Sequence, residues 1–180
     1  QEDLVSFVPM KAVDDIAGKI ITSEIRTYAE VMKGYTYFMD GDVIFARITP
    51  CMENGKTALA RNLMNGVGFG STEFHVLRPG PKLIPEWLYI LVRHRAFRND
   101  AAEHFKGTAG QQRVPESFLK KKIIVVPPIF EQRGILAELN VLQAEIDQIK
   151  RLQVEAAYEL HALSSAILNR AFNEKTSFIN

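Results

Sequence analysis

The chain has 180 residues, 47% of them hydrophobic and 24% charged, and its formal net charge is +1 at pH 7. This size and composition are typical of a folded protein with one core and an appendage, or with two small domains. No apolar run approaches the roughly 20 residues of a membrane-spanning helix. A single cysteine excludes an internal disulfide framework. We therefore expect a cytoplasmic protein that does not associate with membranes.

The first 80 residues are predicted to be rich in strands. Runs of β-branched and aromatic residues bounded by turn residues predict extended segments at 4–13, 42–48, 57–60 and 72–77. Three glycines between positions 66 and 70 predict a loop before the last of these strands. The segments 20–37 and 56–70 are predicted to be irregular.

Positive charge is concentrated in residues 93–122, where eight lysines and arginines accompany three acidic residues. A phosphate backbone attracts such a patch, although many basic runs are merely solvated. In the same region the apolar pattern predicts a helix over 86–102, and a strand is predicted over 122–126. Charge alone keeps nucleic acid as one candidate partner among several.

A glycine-containing loop, residues 107–114, lies between that helix and that strand. It lacks the GxxxxGK[ST] pattern of a nucleotide-binding loop, because Lys106 precedes the glycines. Gln111 and Arg113 carry side chains that can hydrogen-bond adenine and guanine edges. The loop is either a DNA contact or a plain connector.

The C-terminal part changes character after Pro127-Pro128. A helix of about 40 residues is predicted from Ile129, with apolar positions spaced alternately by four and three residues, which indicates a heptad seam. The alternative is a long helix packed against the head. The residues predicted to form the dimerisation seam are Leu139, Leu142, Ile146, Ile149, Leu160, Leu163 and Ile167.

Catalytic chemistry has little support in the sequence. Cys51 and His75 could form a thiol–histidine pair, but no third, orienting group is identifiable. The four histidines lack metal-ligand spacing with Cys51. We expect recognition chemistry, with no catalytic residue and no metal site.

Several ordered motifs together resemble the specificity (S) subunits of type I restriction–modification systems, the target-recognition-domain family. The resemblance covers about residues 5–172 and ends in AILNRAF at 166–172. The other motifs are GDVIFARI at 41–48, ENGK at 53–56, GSTEFHVLRP at 70–79, GTAGQQRV at 107–114 and VPPIFEQ at 126–132.

This resemblance implies an α/β fold, in which an irregular β-sheet target recognition domain is followed by one long coiled-coil-forming α-helix. The expected domains are a DNA-binding domain over 1–127 and a conserved helix over 128–173, serving as spacer, dimerisation element and methyltransferase-binding region. The chain itself is expected to be non-catalytic. It is expected to recognise half of a bipartite double-stranded DNA target and to dock methyltransferase (M) and restriction (R) subunits.

The resemblance also implies that partner subunits use S-adenosylmethionine and ATP with Mg²⁺, so no cofactor is expected in this chain. A complete S subunit has two domain-plus-helix halves, and this sequence contains one. The chain is therefore either a fragment or a half-subunit that forms a homodimer through the long helix. The predicted DNA-binding residues are Arg47, Lys56, Arg61, Gln111 and Arg113.

Two other functions remain open from the sequence. A coiled-coil adaptor whose head binds protein would differ from a DNA-binding module in its salt dependence, because DNA binding weakens steeply as ionic strength rises. A thiol-dependent enzyme would lose its activity in the Cys51→Ala variant.

Overall fold

The computed structural model describes residues 3–176. The chain divides into two compact units, Gln1–Arg133 and Gly134–Asn180; we call them the head and the arm. The boundary falls inside the C-terminal helix, a few residues beyond the predicted boundary at 127/128. The predicted α/β fold with one long C-terminal helix is confirmed.

Seven short strands and five α-helices make up the described chain. The strands are β1 (Leu4–Val8), β2 (Glu24–Thr27), β3 (Thr36–Met39), β4 (Val43–Ala46), β5 (Thr57–Leu59), β6 (Val67–Gly70) and β7 (Phe74–Leu77). The helices are α1 (Tyr28–Val31), α2 (Pro85–Arg93), α3 (Arg95–Glu103), α4 (Glu116–Lys121) and α5 (Ile129–Thr176).

The strands form two sheets. One has the order β2-β1-β6-β3, in which β1 and β6 run parallel and the other neighbours antiparallel. The other sheet has the order β5-β4-β7 and is antiparallel throughout. The chain crosses from the first sheet to the second between β3 and β4, returns between β5 and β6, and crosses again between β6 and β7.

Strand β4 lies between two apolar clusters of the head. Its four residues are buried, and successive side chains of a strand point to opposite faces. Ile44 packs with Val8 and Phe38 of the four-stranded sheet. Phe45 packs in a second cluster with Leu88, Phe97 and further residues of α2, α3 and α4. The head therefore has a sheet-on-sheet layer and a helical layer on either side of β4.

The predicted glycine loop around residues 66–70 is wrong, because Val67–Gly70 is strand β6 in the middle of the larger sheet. A Cβ atom at Gly68 would lie 2.4 Å from the ring of Phe38. Glycine is therefore needed there for packing against a neighbouring aromatic ring. The segment 20–37, predicted to be irregular, contains β2, α1 and the start of β3.

Two further predictions in the basic region are corrected. The helix predicted over 86–102 is two helices, because His94 adopts an extended backbone (ψ 135°) and its Nδ1 accepts a hydrogen bond from the Ala96 amide. The strand predicted over 122–126 is absent. Within residues 3–176 no strand pairs with it, and Ile123 and Val125 stay exposed.

The head includes the first turn of α5, where Gln132 is fully buried. Its Oε1 accepts a hydrogen bond from the Ile84 amide at 2.9 Å, and its Nε2 donates to the carbonyls of Lys82 and Pro127. A buried amide with satisfied donors and acceptor anchors a segment firmly. This glutamine ties the start of α5 to the loop before α2.

Helix α5 has 48 residues, which corresponds to about 70 Å at 1.5 Å per residue. Apolar side chains remain exposed along the arm, from Leu139 at 39% to Ile167 at 58%. Within residues 3–176, no helix combines the length and apolarity that a membrane crossing requires.

Candidate nucleic-acid interface

Three neighbouring segments of the head bring charged side chains together at one end of β4. The Arg47 amide donates to the carbonyl of Glu73 at 2.9 Å, and the Val114 amide donates to the carbonyl of Arg47 at 2.8 Å. The backbone hydrogen bonds of Arg47 therefore hold both Glu73 and the segment around residue 113 beside the extension of β4. We call Arg47, Glu73 and Arg113 the charged triad.

The centre of the charged triad is a forked ion pair between Arg113 and Glu73. Arg113 donates from Nε to Oε2 at 2.9 Å and from Nη2 to Oε1 at 2.7 Å. These bonds lower the pKa of the Glu73 carboxyl, mainly through hydrogen bonding, so it is ionised at neutral pH. A two-bond fork between a guanidinium and a carboxylate fixes orientation as well as distance.

Arg47 completes the charged triad. Its Nε lies 3.5 Å from Glu73 Oε2 and, within residues 3–176, that buried nitrogen has no hydrogen-bond partner. The Arg47 side chain nevertheless remains 38% exposed. Two guanidinium groups around one carboxylate leave the triad with a net charge of +1, which favours an anion such as phosphate.

The exposed loop of residues 107–112 lies next to the charged triad. Lys106 and Arg113 exchange both backbone hydrogen bonds, at 3.0 and 2.8 Å, and thereby close the loop. Gly107 has φ +116°, and a Cβ atom there would lie 3.0 Å from the carbonyl oxygen of Gln111. That tight backbone turn requires glycine, and it leaves Gln111 exposed to solvent.

His75 lies below the triad as part of the core. Its Nε2 is 2.8 Å from the carbonyl oxygen of Val114, to which it donates, and its ring stacks on Phe45. Burial lowers the pKa of His75, so the imidazole is neutral at pH 7. One of the two ring nitrogens of His75 is thus bound to the backbone.

The structure brings together three of the five predicted DNA-binding residues, Arg47, Gln111 and Arg113. The remaining two are engaged elsewhere: Lys56 Nζ donates to the Val13 carbonyl at 2.6 Å, and Arg61 forms an ion pair with Glu86. A contact with DNA stays a prediction for all five.

Sequence reasoning missed the part played by Glu73. The acidic residue was visible, but its partners Arg47 and Arg113 are 26 and 40 positions away in the sequence. The pairing of β4 with β7 places Arg47 beside Glu73, and the backbone bridge between Ile48 and Arg113 adds Arg113. The sequence signal that existed was the position of Glu73, an acidic residue, inside the strand predicted over 72–77.

The arm carries the predicted dimerisation residues on exposed positions. All seven belong to α5, and their exposed fractions range from 39% for Leu139 to 67% for Leu160. Their pairing with another helix stays a prediction.

No family model matches the chain, but curated proteins and solved structures do. It is 37% identical over 152 residues to the EcoAI type I restriction enzyme specificity subunit of Escherichia coli, covering 83% of this chain and 26% of that protein. It is 37% identical over 151 residues to the EcoEI specificity subunit of the same species, with coverages of 83% and 25%. The chain thus spans about a quarter of the length of these relatives.

Solved structures show the same fold. The crystal structure of the HsdS subunit from Thermoanaerobacter tengcongensis matches with a TM-score of 0.71 and 25% identity, over 90% of this chain and 41% of that chain. A chain of a type I R-M system matches with a TM-score of 0.70 and 28% identity, over 86% and 40%. Sequence and fold agree along most of the molecule, and the chain therefore belongs to the family of type I restriction enzyme specificity subunits.

Proposed function

We propose that this chain is a DNA-recognition module of a type I restriction–modification complex and recognises one half of a bipartite target. The observation that carries the proposal is the 37% identity to specificity subunits over 83% of the chain. The charged triad and the adjoining loop supply chemistry suited to the task. Guanidinium groups bind phosphate, and a glutamine can donate to and accept from an adenine edge.

The arm gives the module its second role, which is assembly. A helix with exposed apolar residues at heptad positions is stabilised by a partner helix, because pairing removes these side chains from water. We propose that two copies of this chain pair through α5, and that methyltransferase and restriction subunits dock on the resulting complex. The chemistry, with S-adenosylmethionine, ATP and Mg²⁺, belongs in this proposal to those subunits, and this chain is non-catalytic.

The test is selection of DNA by the purified full chain from a library of random-sequence duplexes about 40 base pairs long, followed by sequencing. Two identical heads related by a two-fold axis should enrich an inverted repeat with a fixed spacer. Affinity for the enriched duplex should fall steeply with salt. A library that shows no enrichment, even at low ionic strength, would refute the proposal.

A substitution in the charged triad makes the same test specific to the candidate interface. Arg47→Ala should weaken binding of the enriched duplex about fivefold or more and reduce the salt dependence by about one ion, because one phosphate contact is lost. Lys150→Ala removes the same charge from the arm and serves as the control. Equal effects of the two variants in a fluorescence anisotropy titration would exclude Arg47 from the interface.

A further inference from the structure

We propose that Glu73 is a positioning residue for DNA recognition: it holds the Arg113 guanidinium, and Arg113 in turn fixes the 107–112 loop from which Gln111 contacts DNA. This inference rests on the proposed function and deepens it. An ionised carboxylate inside a DNA interface repels phosphate. Its presence there calls for a compensating role, and the hydrogen bonds around it supply one.

The first step is that all three guanidinium nitrogens of Arg113 are engaged inside the protein. Its Nε and Nη2 donate to Glu73, and its Nη1 donates to the carbonyl of Gln111 at 2.9 Å. Each of the three guanidinium nitrogens thus has an acceptor. Arg113 therefore serves as an internal clamp, and Arg47 is the member of the charged triad that remains available to DNA.

The second step is that Arg113 holds Gln111, the loop residue whose side chain is exposed to solvent. The same guanidinium that binds Glu73 holds the carbonyl of Gln111, and the Gln111 amide donates to the carbonyl of Thr108 at 3.0 Å. Gly107 and Gly110, both with positive φ, would otherwise give this loop wide conformational freedom. A loop ordered before binding loses less entropy when it binds.

The third step separates positioning from simple repulsion. If Glu73 only repelled DNA, replacing it by glutamine would strengthen binding to every sequence alike. If Glu73 positions the loop, Glu73→Gln should weaken binding to the recognised sequence and leave binding to other sequences unchanged or stronger, because the fork to Arg113 is lost while a negative charge is removed. Only the positioning role therefore predicts a loss of sequence discrimination, whereas simple repulsion predicts an unchanged ratio of the two affinities.

The experiment measures the affinity of the full chain for the duplex enriched from the random library and for a scrambled duplex of the same composition. Glu73→Gln should lower the ratio of the two affinities about tenfold, which is the discrimination expected from one well-formed base contact. Glu103→Gln removes an exposed carboxylate at the end of α3 and should leave the ratio at the wild-type value. Thermal unfolding checks that both variants fold.

A second variant keeps the test decisive if Glu73→Gln does not fold. Arg113→Lys retains the positive charge but cannot form the fork and hold the Gln111 carbonyl together, so it should lower the ratio similarly. A wild-type ratio in whichever of the two variants folds would overturn the inference while the proposed function stood. A wild-type chain that enriches no duplex would overturn the proposed function, and the inference with it.

Discussion

The head and the arm differ in how much of their apolar surface is exposed to water. In the head, Phe38, Ile44 and Phe45 are fully buried within two clusters formed by the sheets and by helices α2–α4. In the arm, every apolar residue of the seam is at least 39% exposed. The head therefore contains its own source of stability, whereas the apolar residues of the seam stay exposed in the single chain. The proposed pairing of α5 with a second helix would remove these residues from water.

The sharpest test of this contrast is a pair of truncations to alanine. Phe45→Ala should lower the free energy of unfolding by about 3–5 kcal/mol, because it leaves a cavity between β4 and the helical layer. Leu160→Ala, on the arm, should change the stability of the head by less than about 0.5 kcal/mol. Urea unfolding followed by Trp87 fluorescence measures both, and similar losses in the two variants would contradict the comparison.

The next test addresses the arm. Ile149→Asp places a carboxylate in the seam and should weaken self-association at least tenfold, because a charge would be buried between two helices. Val154→Asp introduces the same charge at an exposed position outside the seam and is the matched control. Sedimentation equilibrium gives the two dissociation constants. Equal weakening would mean that the heptad positions do not form the contact.

The boundary between the two regions can also be tested. Gln132→Leu should destabilise the head by about 1–3 kcal/mol, because the Ile84 amide and two carbonyl groups lose their buried partner. Gln143→Leu, on the exposed part of α5, is the control and should have little effect on urea unfolding. Unchanged stability of Gln132→Leu would show that the buried amide contributes nothing to the junction.

The smallest expected effect is a pH dependence of the head. Burial lowers the pKa of His75 below the ordinary value near 6.5, against the opposing influence of Glu73 and Glu116. Between that value and the lower folded pKa, the unfolded chain binds the proton first. Stability should therefore fall as pH falls through this window, by at most about 1.4 kcal/mol per pH unit.

The variant that isolates this effect is His75→Gln, which keeps a donor for the Val114 carbonyl. Its urea-unfolding free energy should depend less on pH below about 6.5 than that of the wild type. Identical slopes in the two proteins would show that His75 does not titrate differently on folding.

The accuracy of the sequence predictions follows from how local each signal is. The strand at 42–48 and the helix from Ile129 are confirmed in type, because a short apolar run after a turn and a heptad pattern are properties of nearby residues. The prediction of a strand over 122–126 was wrong, since its β-branched residues have no neighbouring strand in the described chain. Gly68 was assigned to a loop, because the residue that requires a glycine in this strand, Phe38, lies thirty positions away in the sequence.

The candidate interface was predictable only in part for the same reason. Arg47, Gln111 and Arg113 could be proposed from residue type and from the motifs that contain them. The role of Glu73 depends on contacts with residues 26 and 40 positions away, which a single sequence does not reveal. Sequence thus indicated which side chains could contact DNA, and the fold indicated which of them are held by their neighbours.

The measurement that tests the central claim most directly is the light-scattering mass of the purified full chain over a range of concentrations. The arm's exposed seam predicts a dimer, with twice the mass of one chain, that Ile149→Asp converts to monomer while the head stays folded. A wild-type chain that remains a monomer at all concentrations, with the same mass as the Ile149→Asp variant, would contradict the account of the arm as an assembly element.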